Sequence, residues 1–265
     1  GISAAWLKPA CARTDIEIVA LVDLRREAAE KRAAEYQLGK ALIATDLKDA
    51  LKRTTPEVLF NCTLPEAHAP TTLAALKRGC HVLCEKPLAD TMSNARKMLA
   101  AAKTAGRTLA IMQNRRFDAN IARARAFIES GALGAITTVH SQFFIGAHFG
   151  GFRDRMAHVL ILDMAIHTFD AARFLMGANP RTVYAHEWNP AGSWYDRDAS
   201  AVAVFEMTGG SVYTYQGSWC SEGHNTKWES AWRIIGTKGT LLWDGGTGFA
   251  AETVAKTGGF RSEMT

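Results

Sequence analysis

A chain of 265 residues is long enough for one large domain or two ordinary ones, and 48% hydrophobic against 22% charged residues is the balance of a protein with a substantial core. The formal net charge of +5 comes from basic residues interleaved with acids, as in Arg25-Arg26-Glu27 and Glu30-Lys31-Arg32. With no groove-reading motif beside them, these read as solvated helix faces, and no nucleic-acid partner is expected. No apolar run approaches the ~20 residues that cross a bilayer and no signal-peptide pattern opens the chain, so no membrane partner is expected. The cysteines (Cys11, Cys62, Cys80, Cys84 and Cys220) show no CxxC pair or disulfide spacing; they are expected to be reduced and buried, in a cytoplasmic protein.

Gly1-Ile2-Ser3 runs straight into a helical pattern with Ala4, Ala5 and Leu7, an abrupt start for a domain. An apolar strand is predicted over 16–22, ending at Asp23, and a helix over 27–36. A strand over 58–62 leads through Thr63-Leu64-Pro65 into a helix over 66–78, which Gly79 ends by tolerating positive φ. A strand over 81–84, a helix over 93–104 and a strand over 108–112 follow. Strands alternating with helices through short connections predict a Rossmann-like, doubly wound parallel sheet. Composition shifts after Phe117, which sets a dinucleotide-binding domain at 1–118 and a second domain at 119–265.

The second half opens with a basic helix over 120–130 and continues with strand-like segments at 135–144, 181–188, 199–207, 211–216, 228–235 and 240–243. Thr208-Gly209-Gly210 and Gly236-Thr237-Lys238-Gly239 are hairpin signals. One helix, over about 160–174, interrupts the strands. The pattern predicts an α/β domain with a large, mostly antiparallel open sheet carrying a helix on one face. The last residues, 257–265, are polar, without an evident end to the fold.

Several residues carry chemistry. Asp23 closes a strand about 20 residues after Gly1, where a dinucleotide fold places the carboxylate that accepts bonds from the adenosine ribose; a strand-end aspartate also serves as a turn or cap. Arg25 and Arg26 could take a 2′-phosphate, but the carboxylate disfavours one, so NAD is expected over NADP, with NADP left open. Glu85-Lys86-Pro87 sets a charged pair between a strand edge and a proline, where an amine can exchange a proton with a hydroxyl or carbonyl. Asp163 and His167 lie four residues apart, one turn on a single helix face, and suit a general base with an orienting acid. His148 and His158 upstream raise a metal as an alternative, but no third ligand stands at a zinc spacing and no metal is expected. Trp219 offers a flat face for a sugar ring, although tryptophans in a sheet domain also build cores and interfaces. Arg153, in a Gly- and His-containing loop, could contact an anionic substrate.

Taken together these motifs resemble the Gfo/Idh/MocA family of NAD(P)-dependent oxidoreductases. The matching pieces are Asn61-Cys62-Thr63-Leu64-Pro65 with His68, the run from Gly79 through Glu85-Lys86-Pro87-Leu88, and Asn114-Arg115-Arg116-Phe117. Asp163-x-x-x-His167-x-x-Asp170 and Ile235-Gly236-Thr237-Lys238-Gly239-Thr240 complete the order. The resemblance lacks the family's first strand and early glycines, and its closing segment is cut short after Trp243, so a fragment of a family member is expected.

The resemblance implies an NAD(P)-dependent dehydrogenase acting on a CH–OH group of a sugar, inositol or related polyol. Lys86 and His167 take or give the hydroxyl proton while hydride moves to or from nicotinamide C4, and Asp163 positions the substrate or His167. The implied cofactor-binding residues are Gly1, Ile2, Ser3, Asp23, Leu24, Arg25, Thr63, Leu64, Pro65, His68, Glu85, Lys86, Asn114 and Arg115; the implied substrate-binding residues are Lys86, Arg153, Asp163, His167 and Trp219. The implied assembly is a homo-oligomer, dimer or tetramer, through the C-terminal sheet. Two other functions share this likeness: an NAD-dependent glycoside hydrolase, which would release aglycone without accumulating NADH, and a non-catalytic sensor of sugar or NAD.

Overall fold

Short apolar runs between capped helices build the first of two units, Gly1–Met112, in a computed structural model that describes residues 2–265. Its elements are helix α1 (Ser3–Cys11), strand β1 (Ala20–Val22), α2 (Arg26–Glu35), β2 (Leu42–Ala44), α3 (Leu47–Thr54), β3 (Val58–Asn61), α4 (Pro65–Lys77), β4 (His81–Cys84), α5 (Met92–Ala105) and β5 (Leu109–Ile111). β1 and β2 form one parallel pair, and β3, β4 and β5 form a parallel sheet in that order. The Rossmann-like α/β class expected from the alternation is the class observed.

Local chemistry sets the helix ends. The Asp46 carboxylate accepts the Asp49 N–H at 2.7 Å to start α3, and the Thr91 hydroxyl accepts the Asn94 N–H at 3.2 Å to start α5. Gly106, at φ 62°, closes α5 in the left-handed conformation. The strand expected over 16–22 pairs only at its last three residues, and β2 and α3 lie where no element was expected. Three residues of β2 are too few to show a period, and α3 depends on its Asp46 cap and on burying Ala50 and Leu51. The core gathers Leu51, Ala75, Leu76, Cys80, Val82, Cys84 and Ala102. All five cysteines were expected to be buried, yet Cys11 ends α1 exposed, and Cys62 and Cys220 are half-buried.

The second unit, Gln113–Thr265, contains α6 (Ala119–Glu129), β6 (Ile136–Phe144), α7 (Ile166–Met176), β7 (Pro180–Trp188), β8 (Ser200–Met207), β9 (Val212–Ser218), β10 (Ala231–Gly236), β11 (Gly239–Trp243), β12 (Phe249–Lys256) and β13 (Glu263–Met264). The strands form an eight-stranded sheet of order β13-β12-β11-β10-β6-β9-β8-β7, antiparallel except where β6 meets β9. The unit begins at Gln113 rather than after residue 118, because the 3₁₀ turn Asn114–Phe117 is tied into it: Arg115 pairs with Glu229 and Arg116 with Asp170. β12 and β13 had no clear sequence signal. Their side chains are largely exposed, and their strand character comes from pairing β12 on β11 and β13 on β12. Among the described residues no helix is long and apolar enough to cross a membrane.

The buried face of the sheet is lined by a file of rings. Phe205 stacks on Tyr213 (5.3 Å), Tyr213 on Trp232 (6.3 Å), Trp232 on Trp243 (6.1 Å) and Trp243 on Phe249 (5.6 Å), all within 17° of parallel. The Tyr213 hydroxyl, whose pKa burial drives upward, meets the Ser141 hydroxyl at 2.8 Å. On the same strands Tyr184, Val204, Thr214, His140, Arg233, Leu242 and Ala250 stand opposite one another in register, from β7 to β12, and all are exposed or half-buried.

Trp232→Ala, which removes the middle of the ring file, is expected to destabilise the second unit by about 3–5 kcal/mol, read as an earlier tryptophan-fluorescence transition in urea. The Arg115–Glu229 pair (3.1 Å) is largely buried. Burial pulls the guanidinium pKa down and pushes the carboxyl pKa up, each charge opposing the shift of the other. Glu229→Ala strands a buried cation and is expected to cost about 3–5 kcal/mol, whereas Arg115→Met combined with Glu229→Leu costs less than that single change in the same urea titration.

Candidate active site

In the first unit the candidate residues follow the ends of three strands. Asp23, after β1, is exposed, and one of its carboxylate oxygens accepts the Arg25 N–H at 2.9 Å. Leu24 beside it is 93% exposed, and Leu64, after β3, is 69% exposed. An exposed apolar side chain next to a carboxylate, as at Leu24 and Asp23, suits a ligand with both a flat ring and a diol. Ile2 is exposed and Ser3 opens α1, while Gly1 lies outside the described residues.

Asn61 organises the loop after β3. Its amide N–H groups donate to the His68 carbonyl and the Thr72 hydroxyl, both at 3.1 Å, and its oxygen accepts the Thr63 hydroxyl at 2.7 Å. His68, expected against the cofactor, is instead fully buried. Its Nδ1 lies 2.8 Å from the Pro87 carbonyl and its Nε2 3.1 Å from the Thr63 carbonyl, so the ring joins the loop after β3 to the turn after β4. Pro65, at the first position of α4, starts that helix without forfeiting a hydrogen bond.

Glu85 and Lys86 form the turn after β4. The Glu85 N–H donates to the Asn61 carbonyl at 2.9 Å, extending the β3–β4 ladder by one bond. The Glu85 side chain is only 8% exposed; its carboxylate accepts the Trp6 indole N–H at 2.6 Å and the Lys86 backbone N–H at 3.1 Å. Lys86 is half-buried, with a cis bond to Pro87.

In the second unit the stretch expected as one α-helix changes character within itself. Residues Leu160–Ala165 make a π turn, and the α-helix begins at Ile166. Asp163 therefore sits in the wider turn and His167 in the α-helix that follows it. His167 is buried, and its Nδ1 lies 2.8 Å from Gln113 Oε1; an N–H placed there donates to the amide oxygen and sets the ring's orientation. The Asp163 carboxylate accepts the Arg153 Nε–H at 2.7 Å.

Three expected ligand contacts are engaged within this unit. Arg153 lies over Phe149 and Phe152, 5.0 and 4.8 Å from their centroids, besides pairing with Asp163, and so is held by the protein. Arg115 donates to the Trp228 carbonyl and to Glu229, both at 3.1 Å, and is buried where a cofactor contact was expected. Trp219 is 1% exposed and enclosed by Phe143, Phe149 and Trp228, which makes it a core residue in place of a sugar platform. Asn114 is exposed. Among the described residues no group of three or more His, Cys, Asp or Glu side chains could hold a metal ion.

The sequence singled out neither Trp6 nor Gln113, and quoted Asn61 without giving it a role. A polar residue closing the apolar strand Val58-Leu59-Phe60-Asn61 was a usable signal. Trp6 and Gln113 act over long sequence separations, which no local pattern reveals.

Residues 2–113 match the model described as an oxidoreductase family with an NAD-binding Rossmann fold, and residues 121–242 match the GFO/IDH/MocA C-terminal domain. D-glucoside 3-dehydrogenase of Escherichia coli K12 is 33% identical over 189 residues, covering 69% of this chain and 53% of that protein. 1,5-Anhydro-D-fructose reductase of Ensifer adhaerens is 26% identical over 247 residues, covering 91% of this chain and 72% of that protein. An oxidoreductase from Agrobacterium radiobacter, crystallised with NAD+, L-tartaric acid and magnesium, shares the fold with a TM-score of 0.86 at 20% identity, over 100% of this chain and 75% of that one. The chain spans about half to two-thirds of the length of several of the curated relatives it matches. With both halves matched in order by the two models of one family, the chain belongs to the Gfo/Idh/MocA oxidoreductases.

Proposed function

We propose that this chain serves a nicotinamide-dependent dehydrogenase that moves hydride between NAD and a hydroxyl or carbonyl carbon of a sugar, inositol or related polyol. The observation that carries this reading is Lys86: an amine at the carboxyl end of a parallel strand, in a turn whose neighbouring carboxylate is buried and twice hydrogen-bonded. The names of two relatives, a D-glucoside dehydrogenase and an anhydrofructose reductase, support a sugar hydroxyl or carbonyl as the reacting group.

The residues present fit NAD. Asp23 offers a carboxylate to a ribose diol, Leu24 and Leu64 offer exposed apolar surface, and Thr63 and Pro65 shape the loop after β3. When bound, NAD supplies the carbon that accepts or returns hydride. In the oxidising direction the C–H bond of the carbinol breaks with its electron pair, and the hydroxyl proton passes to the chain's own proton carriers, Lys86 and His167. Gln113 orients the imidazole for that task, and Arg153 holds the Asp163 carboxylate in place. Reduction runs the same transfers backward.

We further propose a homo-oligomer assembled through the outer face of the eight-stranded sheet. The support is the register row in which Val204 and Leu242 are exposed apolar side chains. Val204→Arg with Leu242→Arg is expected to leave the unit folded and to lower the mass measured by light scattering to that of a monomer.

A panel of polyols and sugar derivatives, read with NAD at the absorbance of reduced nicotinamide, tests the activity. On the best substrate of that panel, Lys86→Ala is expected to lower turnover by about 100-fold or more while circular dichroism is unchanged, the scale of a lost proton carrier. Undiminished turnover in this variant would reject the assignment.

A further inference from the structure

We propose that Trp6 is a positioning residue for Lys86: its indole N–H holds the Glu85 carboxylate, and that carboxylate in turn holds the backbone from which Lys86 projects. The inference rests on the reading of Lys86 as a proton carrier.

The geometry is a chain of two hydrogen bonds across 79 residues of sequence. Trp6, on α1, donates from Nε1 to one oxygen of Glu85 at 2.6 Å, and the other oxygen accepts the Lys86 N–H at 3.1 Å. Both Trp6 and Glu85 are buried, so the indole–carboxylate bond has no water as a ready substitute. The Trp6 ring is itself fixed edge-on to Phe60 of β3, 5.3 Å between centroids at 61°. The α1 helix that carries Trp6 is anchored by burial of Leu7 and Ala10 and by the Tyr36 hydroxyl, which donates to the Ala4 carbonyl at 3.1 Å. With each carboxylate oxygen given a fixed donor, the Glu85 side chain has one orientation, and the first dihedrals of the Lys86 turn are set with it.

The surroundings favour this arrangement. Cys62 and Cys84 flank the carboxylate, and burial first of all pushes both thiols up to about 12, so they stand beside Glu85 as neutral groups and add no second anion. Without the indole donor, one oxygen of a buried carboxylate loses its partner. The carboxyl group must then turn to find another donor, which loosens its hold on the Lys86 N–H.

The test compares Trp6→Phe, Glu85→Gln, the double variant and Lys86→Ala in the full chain, with thermal unfolding as the check on folding. Phenylalanine keeps a ring against Phe60 and removes only the donor. Two readouts are used: kcat and KM on the best substrate of the panel, and the rate at which formaldehyde and cyanoborohydride methylate Lys86, followed by peptide mass with exposed Lys103 as the internal control. Trp6→Phe is expected to lower kcat about tenfold with KM within about twofold, and to change the Lys86 methylation rate about threefold or more while Lys103 is unaffected. The double variant is expected to be no slower than Glu85→Gln alone, because both substitutions break one chain of contacts. Wild-type kcat and an unchanged Lys86 methylation rate in Trp6→Phe overturn the inference, as do effects that multiply in the double variant. If Trp6→Phe does not fold, Glu85→Gln decides: an unchanged Lys86 methylation rate there also overturns it. Full turnover in Lys86→Ala instead removes the proton-carrier reading, and the methylation arm then still decides whether Trp6 controls the environment of Lys86.

Discussion

A carboxylate withdrawn from water at the end of a strand is the constraint around which the first unit is arranged. Glu85 sits one residue beyond β4, where its backbone still belongs to the ladder through Asn61. Its side chain must be satisfied by the protein, and the donors come from Trp6 on α1 and from the Lys86 amide. Asn61 and His68 then fix the neighbouring loop to the same turn. The backbone turn at Glu85 and Pro87, on either side of Lys86, is therefore tied by hydrogen bonds to α1, β3 and α4.

The second unit solves a similar problem with guanidinium groups. Arg115, Arg116 and Arg153 pair with Glu229, Asp170 and Asp163, and they gather around the helical segment that carries His167. Arg116 and Arg125 lie over Phe174, and Arg153 over Phe149 and Phe152, so aromatic faces help to hold these cations in place. The π turn at Leu160–Ala165 sets Asp163 ahead of the α-helix, where Arg153 reaches it. Two arginines that looked available for a ligand in the sequence, Arg115 and Arg153, are paired within this unit, with Glu229 and Asp163.

Tertiary packing also sorted the aromatic residues. Trp232, Trp243 and Phe249 face one another in register and build the ring file, whereas Trp219 is enclosed beneath Phe149 and Trp228. A tryptophan able to lie flat on a sugar and one that fills a core are the same side chain; only the neighbours distinguish them.

By itself the sequence determined the class of both units, the order of most helices and strands, and the motif that marks the family. These features rest on local regularities: apolar period, helix punctuation by Gly79, and a charged pair caught between a strand and Pro87. It left β2, α3, β12 and β13 unread, because short or exposed elements owe their form to partners distant in the chain. It also could not say which polar residues were already engaged. Tertiary structure alone decided that Arg115 answers Glu229, that His68 bridges two carbonyls, and that Trp6 reaches Glu85. Each of these is a contact between residues far apart in sequence, and desolvation on burial makes such partners obligatory without leaving a periodic trace in the chain.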